Sequence, residues 1–178
     1  MAEQRLSLRD YQRQLAERLR QADSARSASK LGMQVGAESW LIDLVQAGEV
    51  IPVPAVSPVP LTRPWLRGVS NVRGNLYSVV DFAAFLGAGS VVLSEQSRLV
   101  LLGDRYRSAA ALLVDRLLGL RNPNELRPRA RGGDAGAEAA AGASPWLRAE
   151  YDDEAGGRWK ELDVAELVRH ADFLSVAQ

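Results

Sequence analysis

Three observations predict a mostly β fold made of small barrels. Several short segments show the apolar alternation or the β-branched apolar runs that are typical of strands. Turn signals rich in Gly, Pro, Asn and Asp recur about every eight to twelve residues. Few segments show helical periodicity. This pattern favours small barrels over a layered α/β fold, and the strand segments separate into two groups at about Ala88.

Length and composition limit the possible classes of protein. The 178 residues are enough for one compact unit or for two small subdomains that share a core. The net charge is zero, so there is no overall field to attract nucleic acid or anionic lipid. Cysteine is absent, which excludes disulfides and thiolate chemistry. No apolar run approaches the ~20 residues that span a bilayer, and no signal peptide is evident, so a cytoplasmic protein is expected.

Residues 1–30 are predicted to form an amphipathic helix and a linker. Ser7 and Asp10 have the spacing of a capping box, and the helix extends over 7–22. The small polar residues from 22 to 30 indicate the linker. The helix either packs on its own domain or docks on a partner, and the pattern leaves both open. Its narrow apolar stripe consists of Leu8, Tyr11, Leu15 and Leu19.

The β pattern begins at Leu31. Residues 31–44 have the pattern of a hairpin with a turn at Gly36, and the short segment 45–50 could form a helical turn. Prolines then recur between 52 and 64, which excludes a regular helix and favours extended edge segments.

A second hairpin follows, and it is the most distinctive part of the chain. Its arms are 68–73 and 76–82, and Gly74-Asn75 between them predicts a tight turn with positive φ. Asp81 closes the second arm, just before a short helix over 83–87 that ends in glycine.

The remaining chain is predicted to continue as strands after a break between subdomains at 87–96. The segment 132–144 is a low-complexity Ala/Gly run with no residue able to anchor a core, and it is expected to be a mobile loop. Asp163 and Glu166 form a second capping box that begins a final helix. The predicted strand segments are 98–102, 106–114, 115–122, 146–151 and 158–162.

Patterns typical of enzymes are absent from the sequence. His170 is the only histidine, so a His-pair metal site or relay is excluded, and it is assigned to a solvent or helix-dipole role. Ser70 lacks the surroundings of a nucleophile elbow. No phosphate-binding loop is present. We therefore expect no catalytic residues, no cofactor and no metal. Arg127, Arg129 and Arg131 form a local basic patch without interleaved aromatic residues.

The hairpin resembles the signature of the CheW-like family. The residues are G-V-x-N-x-R-G at 68–74, a β run ending in V-D-F and a short helix ending in L-G, with Gly68, Asn71, Gly74 and Asp81 as the signature positions. The resemblance covers about 31–175. It implies two SH3-like five-stranded barrels that share a hydrophobic seam. The first would comprise about 31–87 plus part of the C-terminal segment, and the second about 96–162.

The resemblance also implies a function. CheW-like proteins are non-enzymatic adaptors that couple a CheA-type histidine kinase to methyl-accepting chemoreceptors, which would place this chain in the cytoplasm beside receptor arrays without membrane insertion. One barrel would bind the regulatory domain of the kinase, and the groove between the barrels would receive the hairpin tip of a receptor. Departures such as Ser78, where the family usually has proline, suggest a divergent member of the kind that serves type IV pilus twitching motility. The alternative is a small-barrel RNA- or DNA-binding protein that uses the arginine patch.

Two sets of residues are expected at the partner-binding surface. By resemblance, Glu49 and Arg73 form an ion pair at the edge of the first barrel. A charged residue in place of Ala47 is expected to abolish receptor binding with little change in melting. The expected groove residues are Leu44, Ala47, Val50, Leu117 and Leu118.

Overall fold

The structure, a computed structural model, describes residues 29–129 and 144–177. The predicted helix at 7–22 and all but the last residue of the predicted loop at 132–144 lie outside the described residues. The described strands are β1 (Lys30–Val35), β2 (Glu38–Asp43), β3 (Ala47–Pro52), β4 (Leu66–Val72), β5 (Asn75–Asp81), β6 (Arg98–Leu102), β7 (Ala110–Val114), β8 (Arg116–Arg121), β9 (Leu126–Pro128), β10 (Leu147–Asp153) and β11 (Arg158–Leu162).

The strands form two sheets, which confirms the mostly β fold class. One sheet has six strands in the order β8-β1-β2-β11-β10-β9, and the other has five in the order β3-β6-β7-β5-β4. Most neighbours are antiparallel, but β11 runs parallel to β2, and β7 runs parallel to β5. Such parallel pairs join segments that are far apart in the chain.

Strand pairing corrects the predicted membership of the two barrels. The chain does not divide at Ala88, because β1 and β2 pair with strands from the second half, whereas β3, β4 and β5 share a sheet with β6 and β7. The ranges 31–87 and 96–162 therefore do not correspond to the two sheets. The segment after β11 does contact the first half of the chain, since the Arg63 amide donates a hydrogen bond to the Val176 carbonyl at 2.9 Å.

Three short helices complete the described fold: α1 (Phe82–Phe85), α2 (Val164–Arg169) and α3 (Ala171–Leu174). Asp163 caps α2 through the backbone amide of Glu166, as its spacing predicts. The segment 45–50 is not a helical turn, because β3 begins at Ala47. The predicted strand 106–114 starts only at Ala110, after a single 3₁₀ turn. Within the described ranges, no helix has the length and apolar character needed to cross a membrane.

The main hydrophobic core contains residues from both sheets. Leu31, Met33 and Val35 alternate along β1 and all belong to this core. Gly32, between them, faces the opposite way, and a Cβ added there would approach the Trp159 ring at 3.0 Å and Leu118 Cβ at 3.3 Å. The other face of the six-stranded sheet thus carries its own small cluster. Its members are Leu41, Leu118, Leu126, Tyr151 and Trp159.

Candidate partner-binding surface

The predicted ion pair between Glu49 and Arg73 is present. Arg73 Nη1 donates to Glu49 Oε2 at 2.9 Å, and Nη2 donates to Oε1 at 2.7 Å. This is the bidentate geometry that only a guanidinium can offer to a carboxylate. Glu49 lies on β3, and Arg73 follows β4 in the turn to β5. Because β3 and β4 are the opposite edges of the five-stranded sheet, the pair joins its two edges and helps to close it into a barrel.

Arg73 is held in place by the turn itself. Val72 pairs with Asn75, so the two-residue turn is Arg73-Gly74, one position earlier than the predicted Gly74-Asn75. Both turn residues have positive φ, 52° at Arg73 and 88° at Gly74, as this hairpin type requires. The side chain of Asn71 accepts a hydrogen bond from the Gly74 amide at 2.8 Å. The signature N-x-R-G therefore builds a rigid turn that presents the guanidinium.

Gly68 permits the second closing contact of this barrel. The backbone of Ser57 exchanges two hydrogen bonds of 2.8 Å with Val69, so the segment after β3 pairs with β4. A Cβ at Gly68, where φ is 136°, would lie 2.1 Å from the carbonyl oxygen of Ser57. Only glycine allows the two backbones to approach so closely. The signature glycine thus has a structural role at the barrel edge.

Asp81 is the buried centre of the signature hairpin. Its carboxylate accepts hydrogen bonds from the Ala84 amide at 3.0 Å and from the Ser90 hydroxyl at 2.6 Å. The Val91 amide donates to the same carboxylate at 3.1 Å, and Arg67 Nε donates at 3.0 Å. Asp81 has no exposed surface. One side chain therefore joins β5, β4, the first turn of α1 and the loop at 87–97.

The five expected groove residues do not form one surface. Leu44, Val50 and Leu117 are partly buried and pack against the main core. Ala47 is only 8% exposed and belongs to that core. Leu118 faces the other side of the six-stranded sheet, because it follows Leu117 on the strand and side chains alternate. A charged residue at Ala47 is consequently expected to lower stability, so the burial of Ala47 conflicts with the prediction of little change in melting.

A buried charge network in the six-stranded sheet was missed by the sequence analysis. Lys30 Nζ donates to Glu161 Oε1 at 2.7 Å and to Asp43 Oδ1 at 2.8 Å. The Tyr151 hydroxyl donates to the other oxygen of Glu161 at 2.6 Å. The side chains of Lys30 and Glu161 are 11% and 2% exposed. Four strands, β1, β2, β10 and β11, each contribute one member of the network.

This network makes the free energy of unfolding depend on pH in the alkaline range. Burial acts to lower the pKa of Lys30, but hydrogen bonds and charges from Asp43 and Glu161 outweigh it, so that pKa lies above the usual 10.5. Burial and the hydrogen bond to Glu161 raise the pKa of Tyr151 above 10.0. A group whose pKa rises on folding stabilises the native state below its unfolded pKa, and the contribution disappears as the pH passes its folded pKa.

We therefore expect the free energy of unfolding to fall above about pH 10. Tyr151→Phe should lower stability at pH 7 by about 1–2 kcal/mol, because Glu161 loses a hydrogen-bond donor. Its alkaline decline should be shallower, since no phenol remains to titrate. Urea denaturation of both proteins from pH 7 to 11 measures the difference. A difference that stays constant at every pH would show that Tyr151 does not contribute to the pH dependence.

Other candidate chemical groups have structural partners. The His170 ring accepts a hydrogen bond from the Asp172 amide at 3.3 Å and packs edge-on against Trp146 at 4.7 Å. Among the described residues, no cluster of three or more His, Asp or Glu side chains could hold a metal ion. Arg129 lies 3.6 Å from the carboxylate of Asp152.

Comparison with known proteins agrees with this geometry. A family model described as the CheW-like domain matches residues 30–172. The chain belongs to the CheW-like family. The resemblance predicted from the signature hairpin is confirmed. In this CheW-like protein, signature residues lie at both closing contacts of the five-stranded barrel, and Asp81 fixes the adjoining helix and loop.

Two relatives and one solved structure are similar to this CheW-like protein over 56% to 88% of its length. Protein PilI of Pseudomonas aeruginosa is 28% identical over 163 residues, which is 88% of this chain and 84% of PilI. Chemotaxis protein CheW of Thermotoga maritima is 29% identical over 100 residues, covering 56% of this chain and 64% of that protein. The crystal structure of the scaffolding protein TtCheW from Thermoanaerobacter tengcongensis superposes with a TM-score of 0.64 at 16% identity, covering 84% and 97% of the two chains. This last likeness concerns the fold.

Proposed function

We propose that the protein is a non-enzymatic adaptor that couples a CheA-type histidine kinase to methyl-accepting chemoreceptors. The observation that carries the proposal is membership of the CheW-like family over 30–172, together with similarity to PilI over most of the chain. The similarity to PilI favours a type IV pilus twitching pathway over flagellar chemotaxis. The adaptor acts in the cytoplasm, beside receptor arrays that it reaches through its partners.

The geometry supports a mechanism based on binding alone. The Glu49–Arg73 pair fixes the hairpin turn against β3 on the exposed side of the barrel, where Arg73 is 74% and Glu49 is 40% exposed. Leu44 and Val50, near Glu49 in the chain, pack against the main core and support β3 from within. A receptor hairpin tip that contacts this region meets a rigid edge. Coupling then arises because the contacts with the kinase and with the receptor both bias the arrangement of the kinase, which requires no chemistry in this chain.

The proposal is tested by reconstitution. The full chain is mixed with a CheA-type kinase and a soluble receptor fragment from the same genome, and kinase autophosphorylation is measured with and without the chain. We expect direct binding to both partners and receptor-dependent kinase activity only when the chain is present. Absence of binding to both partners would overturn the adaptor function. Salt-dependent affinity for oligonucleotides would instead favour the RNA- or DNA-binding alternative.

Arg73→Lys should weaken partner binding without unfolding the protein. Lysine keeps the charge but cannot form two parallel hydrogen bonds with Glu49. Because the pair is exposed, we expect a stability change within about 1 kcal/mol and an affinity loss of roughly fivefold. Titration calorimetry with the kinase domain and the receptor fragment gives the affinities.

Glu49→Gln is the matched variant, because it removes the same ion pair from the other side. If the pair acts by holding the turn, both variants weaken binding to a similar degree. If Arg73 instead contacts a partner directly, Glu49→Gln leaves binding unchanged. Normal binding in both variants would show that the pair has no role in the partner-binding surface.

A further inference from the structure

A mostly apolar cavity of about 220 Å³ opens to solvent beside the start of β4. Leu113 of β7, a buried member of the main core, forms part of its wall. Leu93, from the loop at 87–97, forms another part and is 60% exposed. A single exposed leucine is ordinary, but this one borders an apolar cavity. We call this site the loop cavity, and its lining residues are Val53, Val56, Pro58, Arg67, Leu93 and Leu113.

The loop is fixed on the N-terminal side of Leu93. The Val91 amide donates a hydrogen bond to the buried carboxylate of Asp81 at 3.1 Å. The Val91 carbonyl accepts a hydrogen bond from Arg67 Nη2 at 2.6 Å. Both backbone groups two positions before Leu93 are therefore held by side chains of the signature hairpin.

The loop is also fixed on the C-terminal side of Leu93. The Ser94 amide donates to the hydroxyl of Ser97 at 3.0 Å, and Ser97 is 1% exposed. Arg98 Nη1 donates to the Ser97 carbonyl at 2.8 Å. Because the backbone is anchored on both sides, Leu93 is held at the edge of the cavity before any partner arrives. Such preorganisation lowers the entropy that binding costs.

The size and charge of the loop cavity favour one uncharged side chain as the group that it binds. A cavity of ~150 Å³ holds a benzene-sized group, whereas sites for small molecules measure roughly 300–1,000 Å³. Among the described residues that line the cavity, Arg67 alone is charged, and its guanidinium is already paired with Asp81 at 3.0 Å. An aliphatic group therefore fits without leaving a charge unpaired.

The extent of the surface favours a short segment over a second copy of the chain. A stable interface buries about 800 Å² on each partner and involves roughly 20–30 residues a side. Six residues line the loop cavity. This is too little for a stable dimer but sufficient for a peptide with one buried anchor.

We propose that the loop cavity binds a short segment of a partner protein, which inserts one aliphatic side chain beside Leu93. Arg67, in the cavity wall, lies six residues before Arg73 along an extended strand, a separation of roughly 20 Å. The loop cavity is thus distinct from the Glu49–Arg73 edge, and both surfaces can be occupied together. This inference does not depend on the proposed adaptor function.

Peptide selection tests the loop cavity with a defined probe. Twelve-residue peptides are selected from a display library on the full chain, and the strongest binder is synthesised. We expect it to contain an aliphatic residue and to bind Leu93→Ser about tenfold more weakly than the unsubstituted chain. Val92→Ser is the matched control, because Val92 is 82% exposed on the same loop but does not line the cavity. Equal affinities for the two variants, or binders without an aliphatic residue, would overturn the proposal.

Nuclear magnetic resonance gives a second measurement that needs no substitution. Isobutanol, which resembles a leucine side chain, is titrated into the ¹⁵N-labelled full chain. The amide signals of Val53, Val56 and Leu93 should shift together and more than that of Leu61, an apolar residue that is 82% exposed and does not line the cavity. Shifts of equal size at Leu61 would show that the cavity has no preference for the aliphatic group. Sedimentation should give a monomer, and a dimer that Leu93→Ser dissociates would assign the surface to a second copy and overturn the proposal.

Discussion

Lys30→Met is expected to destabilise the protein by about 3–5 kcal/mol, because it leaves a buried carboxylate without its charge partner. Glu161 is 2% exposed and receives its short hydrogen bonds from Lys30 and Tyr151. Arg148 is 3.7 Å from the same carboxylate but is half exposed, so it compensates only in part. Urea denaturation, with the midpoint and the slope both measured, gives the loss of stability.

The chain offers a matched control, since Lys30 and Lys160 are its only lysines. Lys160 pairs with Glu38, but the two side chains are 33% and 37% exposed. We expect Lys160→Met to cost less than about 1 kcal/mol. Adding Glu161→Gln to Lys30→Met removes the stranded charge and should restore about 1–3 kcal/mol. Equal losses for the two lysine variants would contradict the assignment of a buried network.

The importance of Lys30 could have been suspected from the sequence. Arginine is the usual basic residue in this chain, and Lys30 opens a strand whose other residues are mostly apolar. The sequence does not reveal its partners, however. Asp43 is adjacent across a hairpin, but Glu161 is 131 positions away and is brought near by the parallel pairing of β11 with β2. Periodicity identifies strands one at a time and contains no information about such long-range pairing.

The same limit explains which parts of the fold were predicted. Local features were identified well: the strands of the hairpins, the capping box at Asp163 and the existence of a tight turn after Val72. The assignment of strands to sheets failed, because it followed chain order across Ala88. The turn was placed one residue late, since Asn75 has high turn propensity but is the first residue of β5.

At the candidate site, the ion pair was predicted from the family resemblance and not from the hydrophobic pattern of the sequence. The resemblance identified Glu49 and Arg73, which lie 24 positions apart and form a bidentate pair. The groove residues were assigned from the same resemblance together with their apolar character, and this did not distinguish a core residue such as Ala47 from a surface residue. Nor did it separate Leu117 from Leu118, whose side chains necessarily lie on opposite faces of one strand.

Asp81→Ala should have the second large effect, a loss of about 3–5 kcal/mol. The fully buried carboxylate satisfies the Val91 amide and the first turn of α1, and these donors would remain buried without an acceptor. Asp81→Asn retains an acceptor oxygen and should lose less, about 1–3 kcal/mol. The stability of all variants is measured by urea denaturation under the same conditions.

The stability lost in Asp81→Ala should be concentrated in one part of the molecule. Asp81 holds the loop at 87–97 to β5 through Ser90 and Val91, so its removal should speed amide exchange in that loop more than in the six-stranded sheet. Arg67→Met is the comparison, because it removes the exposed partner and its 2.6 Å hydrogen bond to the Val91 carbonyl while the other donors to Asp81 remain. We expect it to cost about 1–2 kcal/mol and to leave the Ser90 contact intact. If Arg67→Met and Asp81→Ala lower stability equally, the ion pair alone stabilises this region, and the acceptor role of Asp81 toward the loop and α1 is not needed.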